Sequence, residues 1–244
     1  MRTLLLLATA MAADDWNTLW WLPSDGDVTP GKQVASHKTM PHLMFVPAGS
    51  PPADGWPLLV FLHGQGESSP TPLPRVAIQG PPQTCGRAPG TMKMAVLSPQ
   101  KPMSSQFYDN DVADNIEALV DMYVASQKLD ATRVYLTGLS QGGFGTWATA
   151  AQYPDKFAAV APICGGGKPE WAKKYGSLPI WNFHGDADKV VPIRLSRVMV
   201  DAIKKAGGKI KHTEYPGAGH DSWTKTYRNP KLYEWFLSHS KKEK

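Results

Sequence analysis

The hydrophobic positions of this chain fall into two kinds of run that alternate along it. Leu58-Leu59-Val60-Phe61-Leu62 is continuously apolar, as in a central strand covered on both faces. Met94-Ala95-Val96-Leu97-Ser98, Ala158 to Ile163 and Pro179-Ile180-Trp181-Asn182-Phe183 read the same way, with a further strand around Ile210 to Tyr215. Met40-Pro41-His42-Leu43-Met44-Phe45-Val46 predicts an early edge strand, because proline is tolerated at a sheet edge. Between these runs the period changes. Val112, Ile116, Leu119, Val120 and Tyr123 recur at helical spacing with acids on the other side. Helices are also expected from about Leu195 to Lys205 and from about Lys231 to Ser238, the second with Pro230 at its start. Strand alternating with helix predicts an α/β fold: a mostly parallel sheet with helices on both faces.

One junction is sharper than the rest. Arg133-Val134-Tyr135-Leu136-Thr137 reads as a strand, and Gly143 to Ala151 as a helix opening on small residues. Between them stands Gly138-Leu139-Ser140-Gln141-Gly142. A G-x-S-x-G between strand and helix is a nucleophile elbow, where glycines let the chain turn tightly enough to hold up the serine hydroxyl. Gly143-Phe144-Gly145-Thr146-Trp147-Ala148 also fits a dinucleotide-binding pattern, but its glycines fall inside the helix and Ser140 occupies the turn. The connection from about Gly165 to Pro179 is too short to hold a cap domain, so an open cleft is expected over Ser140.

Composition adds bounds. The chain has 244 residues, 42% of them hydrophobic and 19% charged, which suits one domain over 14–244 with a substantial core. The formal charge of +5 is partly local, in Lys204, Lys205, Lys209 and Lys211 and in a solvated tail of Lys241, Lys242 and Lys244. No arginine-rich or aromatic-basic run points to nucleic acid. Arg2 followed by Leu4-Leu5-Leu6-Leu7-Ala8-Thr9-Ala10 has the shape of a small signal peptide over residues 1–13. The expectation is export; the alternatives, in a cytoplasmic protein, are a start at Met11 or a disordered or docked N-terminus. The segment is too short to span a bilayer, and no stable membrane insertion is expected. Cys85 and Cys164 could form one disulfide in an exported protein, although Cys164, ending an apolar strand, reads better as a buried free thiol.

A serine hydroxyl needs a base, and the base an orienting acid. Two loops at strand ends supply them: His184-Gly185-Asp186-Ala187-Asp188 and Gly217-Ala218-Gly219-His220. His220, flanked by glycines, is the candidate base, whereas His212 lies inside a strand pattern. An oxyanion requires N–H donors, one from Gln141 after the serine and a second from the loop Leu62-His63-Gly64-Gln65-Gly66-Glu67-Ser68, with Gln65 preferred. His63 is expected to be a buried residue shaping that loop, and Glu67 to anchor it. Tyr108, with Phe107, and Trp223 are candidates for lining the cleft or for packing. No histidine–carboxylate spacing suggests a metal, and no cofactor is expected.

Together His63-Gly64-Gln65-Gly66-Glu67, Gly138-Leu139-Ser140-Gln141-Gly142-Gly143, His184-Gly185-Asp186-Ala187-Asp188 and Gly219-His220 resemble the α/β-hydrolase superfamily. The nearest group is the compact phospholipase/carboxylesterase-like, dienelactone-hydrolase-like and "predicted peptidase" enzymes. Tyr153 to Ala159, Pro162 to Gly166 and Asn229 to Trp235 are also similar to that group, so the resemblance spans roughly residues 40 to 240. True dienelactone hydrolases use cysteine where this chain has Ser140. The resemblance implies a cofactor-independent serine esterase, with Ser140, Asp188 and His220 as a triad and a small-molecule or polymeric ester as substrate. The choice of Asp188 over Asp186 rests partly on it, Asp186 being left to tie the turn through backbone N–H groups. Thioesterase, lysophospholipase, aryl or feruloyl esterase, polyester depolymerase and peptidase activities, and a non-catalytic ligand-binding role, share the same framework. Oligomeric state is not legible.

Overall fold

The computed structural model describes residues 21–23, 29–36 and 40–241. The signal-peptide expectation for 1–13 and the lysines at 242 and 244 lie outside them. The strands are β1 (Trp21–Pro23), β2 (Gln33–Ser36), β3 (His42–Phe45), β4 (Trp56–Leu62), β5 (Ala95–Pro99), β6 (Leu129–Leu139), β7 (Ala159–Ile163), β8 (Ile180–Gly185) and β9 (Ile210–Tyr215). Among the described residues they form one sheet of order β1-β2-β3-β5-β4-β6-β7-β8-β9. Every pairing from β5 through β4 to β9 is parallel, and β3 runs antiparallel to both neighbours. The helices are α1 (Gly80–Arg87), α2 (Asn110–Ser126), α3 (Gln141–Gln152), α4 (Arg194–Lys205), α5 (Trp223–Tyr227) and α6 (Pro230–Leu237).

Strand β4 shows why the central run is apolar throughout. Leu58, Val60 and Leu62 face a core shared with Ile116 of α2, Trp147 of α3 and Met199 of α4. Leu59 and Phe61 face the opposite core, with Cys85 of α1, Tyr227 of α5 and Phe236 of α6. Alternate side chains enter opposite layers, so neither set can be polar.

Two expectations are corrected. His42–Phe45 is not an edge strand: β2 and β5 pair with both its sides, and Pro41 stands just before it, where the missing N–H breaks no ladder. The outer strands were hidden because Gln33-Val34-Ala35-Ser36 carries no apolar run, although all four residues are buried. Helix α1 was likewise hidden, since Gly80-Pro81-Pro82 looks like loop; its prolines sit in the first turn, where no intrahelical donor is lost. The buried free thiol expected at Cys164 is what the structure shows, and Cys85 is likewise buried and free, so the two do not pair. Finally, the Lys241 N–H donates to Thr132 O (2.8 Å), so the C-terminal lysine run is docked at its first member.

From β7 to β8 the chain crosses in a short 3-10 stretch, Pro169–Tyr175, with no cap domain. No helix among the described residues is long and apolar enough to cross a membrane.

Candidate active site

Parallel strands send their C-terminal ends to one edge of the sheet, and the singled-out residues follow those ends. Leu62 of β4 lies in register with Gly138 of β6, so the 63–68 loop starts beside the elbow. Ser140 follows β6, the 186–191 turn follows β8, and His220 follows β9.

The elbow forms because two segments nearly touch. A Cβ on Gly142 would stand 2.0 Å from Leu62 O, so only glycine lets α3 start this close to β4. The turn is completed at Ser140, with φ 53° and ψ −116°, a region that non-glycine residues rarely occupy. The Ser140 N–H is held by Ile163 O (3.0 Å) and the Cys164 sulfur (3.2 Å). Cys164 is itself at φ 41°. Burial pushes its thiol up to about 12, so it stays protonated as a packing group behind the serine.

The structure brings Ser140, His220 and Asp188 into one hydrogen-bonded line. Ser140 Oγ is 2.9 Å from His220 Nε2, and His220 Nδ1 is 2.7 Å from Asp188 Oδ2. A carboxylate can only accept, so Nδ1 carries the hydrogen and Nε2 is free to accept from the serine. The backbone N–H groups of Val190 and Val191 donate to Asp188 Oδ1 at 2.8 and 2.9 Å. Burial pushes the Asp188 carboxyl up, but the His220 hydrogen bond and these two N–H groups outweigh it and hold it below the usual range. Asp186 is exposed and accepts from the Gly217 N–H (2.7 Å), tying the β8 turn to the His220 loop.

Gln141 is the first residue of α3, where a helix has no acceptor of its own for the N–H. Its buried side chain donates to Gln106 Oε1. Gln65 opens a 3-10 turn, Gln65–Glu67, and its exposed side chain reaches Met103 Sδ at 2.9 Å. His63 is wholly buried: Nδ1–H donates to Gly64 O (2.5 Å), and Nε2 accepts from the Lys101 N–H (3.3 Å). Burial lowers its pKa to about 4, which keeps the ring neutral. Glu67 is buried and accepts from Gln79 Nε2 (3.1 Å).

The aromatic candidates separate. Phe107 is fully buried against His63, ring centres 4.8 Å apart, so it packs the loop and does not line a cleft. Trp223 is half-buried and edge-on to His220 at 5.3 Å. Tyr108, 49% exposed, borders a cavity of about 310 Å³ along α3 with Trp171 and Lys174; Ser140, Asp188 and His220 do not line it. His212 is half-buried and bonded to Asn182 (2.8 Å) and Glu214 (3.1 Å). No cluster of three His, Cys, Asp or Glu side chains among the described residues could hold a metal ion.

Three neighbours of the site carry no local signal of their roles. Gln106 holds Gln141. Lys101, wholly buried, donates from Nζ to Ser105 O (2.7 Å) and Pro102 O (3.2 Å), bracing the loop that carries Gln106. His184 lies 3.2 Å from Asp188 Oδ2. Only His184 stood in a motif, and nothing in the motif says what its ring faces.

Residues 86–231 match the family model for phospholipase/carboxylesterase. The chain belongs to the phospholipase/carboxylesterase family, on the α/β-hydrolase fold. The NocK protein of Nocardia uniformis subsp. tsuyamanensis is 28% identical over 176 residues, 69% of this chain and 51% of its own length. This phospholipase/carboxylesterase-family chain therefore spans about half the length of that relative. A poly(3-hydroxyoctanoate) depolymerase of Pseudomonas fluorescens is 25% identical over 225 residues, covering 79% of this chain and 77% of the depolymerase. The crystal structure of a thermostable esterase superposes with a TM-score of 0.70 at 31% identity, covering 86% of this chain and 63% of that one.

Proposed function

We propose that this chain is a serine hydrolase of carboxylic esters working through an acyl-enzyme. The observation that carries the proposal is the unbroken line from Ser140 Oγ through His220 to Asp188 at 2.9 and 2.7 Å. His220 Nε2 takes the hydroxyl proton as Ser140 Oγ attacks the ester carbonyl, while Asp188 stabilises the ring as it becomes cationic. The Gln141 and Gln65 N–H groups receive the oxyanion. His220 then returns the proton to the leaving alkoxide, which departs as the alcohol. A water deprotonated by the same nitrogen cleaves the acyl-enzyme, releasing the acid and restoring Ser140.

A polymeric ester is the second reading. It is supported by the depolymerase relative and by Met103, Tyr108 and Val190, exposed apolar residues on loops after β5 and β8. The short β7–β8 connection, with no cap domain in it, leaves such a chain room to approach.

The test is turnover of p-nitrophenyl acetate together with labelling by a fluorophosphonate. Wild type is expected to turn over and label, and Ser140→Ala to do neither. Turnover unchanged in Ser140→Ala overturns the mechanism. Short and long acyl esters, a thioester, a peptide amide and an emulsified poly(3-hydroxyalkanoate) then sort the substrate classes.

A further inference from the structure

We propose that His184 is a positioning residue of this site, locking the Asp188 carboxylate from the side opposite His220. The inference rests on the ester-hydrolase reading for its kinetic consequence, and on local geometry for the rest.

His184 lies on β8 and is completely buried. Its Nε2 is 2.9 Å from Val191 O and 3.2 Å from Asp188 Oδ2. Both neighbours can only accept, so Nε2 must carry a hydrogen, shared between them. Burial holds the ring below the ordinary histidine range, so at neutral pH it has one proton. Its other nitrogen, Nδ1, is therefore an acceptor, and Ser196 Oγ stands 2.7 Å away to donate to it. Gly165 O (3.1 Å) and Asn182 Oδ1 (3.4 Å) compete for that hydroxyl hydrogen at longer range. Ser196, on α4, thus sets which nitrogen of His184 faces the carboxylate.

The consequence is a fully occupied carboxylate. Oδ1 accepts two backbone N–H groups, and Oδ2 accepts from His220 and His184. Four donors match its roughly four acceptor directions, which leaves Asp188 one orientation. By holding Val191 O as well, His184 closes the same turn whose N–H groups grip Oδ1.

The titratable and charged surroundings are few. Asp188 faces His220 and His184, and the Cys164 thiol behind Ser140 feels both Asp188 and Asp221. His184 faces Asp188 and, beyond Asn182, His212, which pairs with Glu214, itself paired with Arg197.

The experiment compares His184→Leu, His184→Gln and Ser196→Ala with wild type and Ser140→Ala, using pH profiles of ester turnover. His184→Leu is expected to lower kcat about tenfold, a scale set by small losses of alignment, with KM held within about twofold. The acidic limb of kcat/KM is expected to move up by about half a pH unit, because Asp188, short of one donor, holds the protonated His220 ring more tightly. His184→Gln keeps an N–H and is expected to recover most of both effects. A wild-type kcat and limb in His184→Leu, or an equal loss in His184→Gln, overturns the proposal. Should His184→Leu not fold, Ser196→Ala carries the same test, with a smaller shift in the same direction, and a wild-type profile in it counts against the proposal. Nitrogen-15 NMR of the wild-type ring is independent of turnover: His184 protonated at Nε2 supports the lock, and protonation at Nδ1 alone overturns it. Turnover surviving in Ser140→Ala removes the ester-hydrolase reading and leaves that tautomer measurement standing.

Discussion

Ser140 is a serine in a conformation that serines avoid, and the cost of about 1–3 kcal/mol is met by the packing around it. Its N–H is gripped by Ile163 O and by a sulfur, and its hydroxyl points to His220. At Asp188 the two oxygens have different jobs, one bound by backbone and one by imidazoles. That asymmetry decides what Asp188→Asn does. The Val190 and Val191 N–H groups hold the amide oxygen, so the amide NH₂ turns toward His220. The ring must then accept at Nδ1 and present Nε2–H to Ser140, where it cannot act as base. The expected fall in kcat is about 10³–10⁴-fold at neutral pH, measured with a short-chain ester; a loss under tenfold contradicts the assigned role. Ser140 and His220 were legible because glycines mark the turns that carry them. His184 was not, since its partner depends on a side-chain direction that only the packed sheet defines.

Among elements, the junction of β4, β6 and α3 matters most. Gly142→Ala would put Cβ 2.0 Å from Leu62 O and 2.6 Å from His63 O, both backbone atoms of β4 and its following loop. Neither can retreat without moving a central strand, so a loss of about 2–4 kcal/mol in urea unfolding is expected, with loss of ester turnover. Gly66→Ala, where a Cβ meets nothing within 4 Å, is the control, expected to stay within about 0.5 kcal/mol of wild type. Equal stabilities for the two variants would contradict the close-packing account of the elbow. The loop after β5 is the other decisive element. Phe107 and the buried Lys101 fasten it from below, leaving Met103 and Tyr108 exposed above. Two adjacent aromatics thus separate into one core residue and one surface residue, a split that periodicity within a loop does not reveal.

For the molecule as a whole, the buried histidine that opens the 63–68 loop couples stability to pH. His63 titrates at about 4 in the folded chain against 6.5 as a free residue. Between those values the unfolded chain binds the extra proton, so stability is complete above pH 6.5 and falls as pH drops toward 4. The shift corresponds to about 3 kcal/mol. His63→Gln, which does not titrate there, is expected to show a correspondingly flatter dependence of unfolding free energy over this window. Parallel curves for the two proteins would assign the acid sensitivity elsewhere. Asp188 acts lower: its depressed carboxyl stabilises the fold above its unfolded value, near 3.8, and loses that contribution as pH falls through the folded one. The two windows are separable in one titration.

The sequence by itself determined the alternation of strands and helices, the elbow at Ser140, and the chain order in which acid and histidine follow the serine. These depend on rules that act over a few residues: side-chain period, glycine at tight turns, loops at strand ends. Tertiary structure decided that His42–Phe45 lies inside the sheet, that Cys85 and Cys164 stay apart, and that Phe107 is core while Tyr108 is surface. It also decided that Asp188 has histidines on two sides. Each of these is a contact between segments distant in the chain, set by strand register and by which face of the sheet a helix covers. No local pattern encodes that choice, because burial of the whole apolar surface selects it at once.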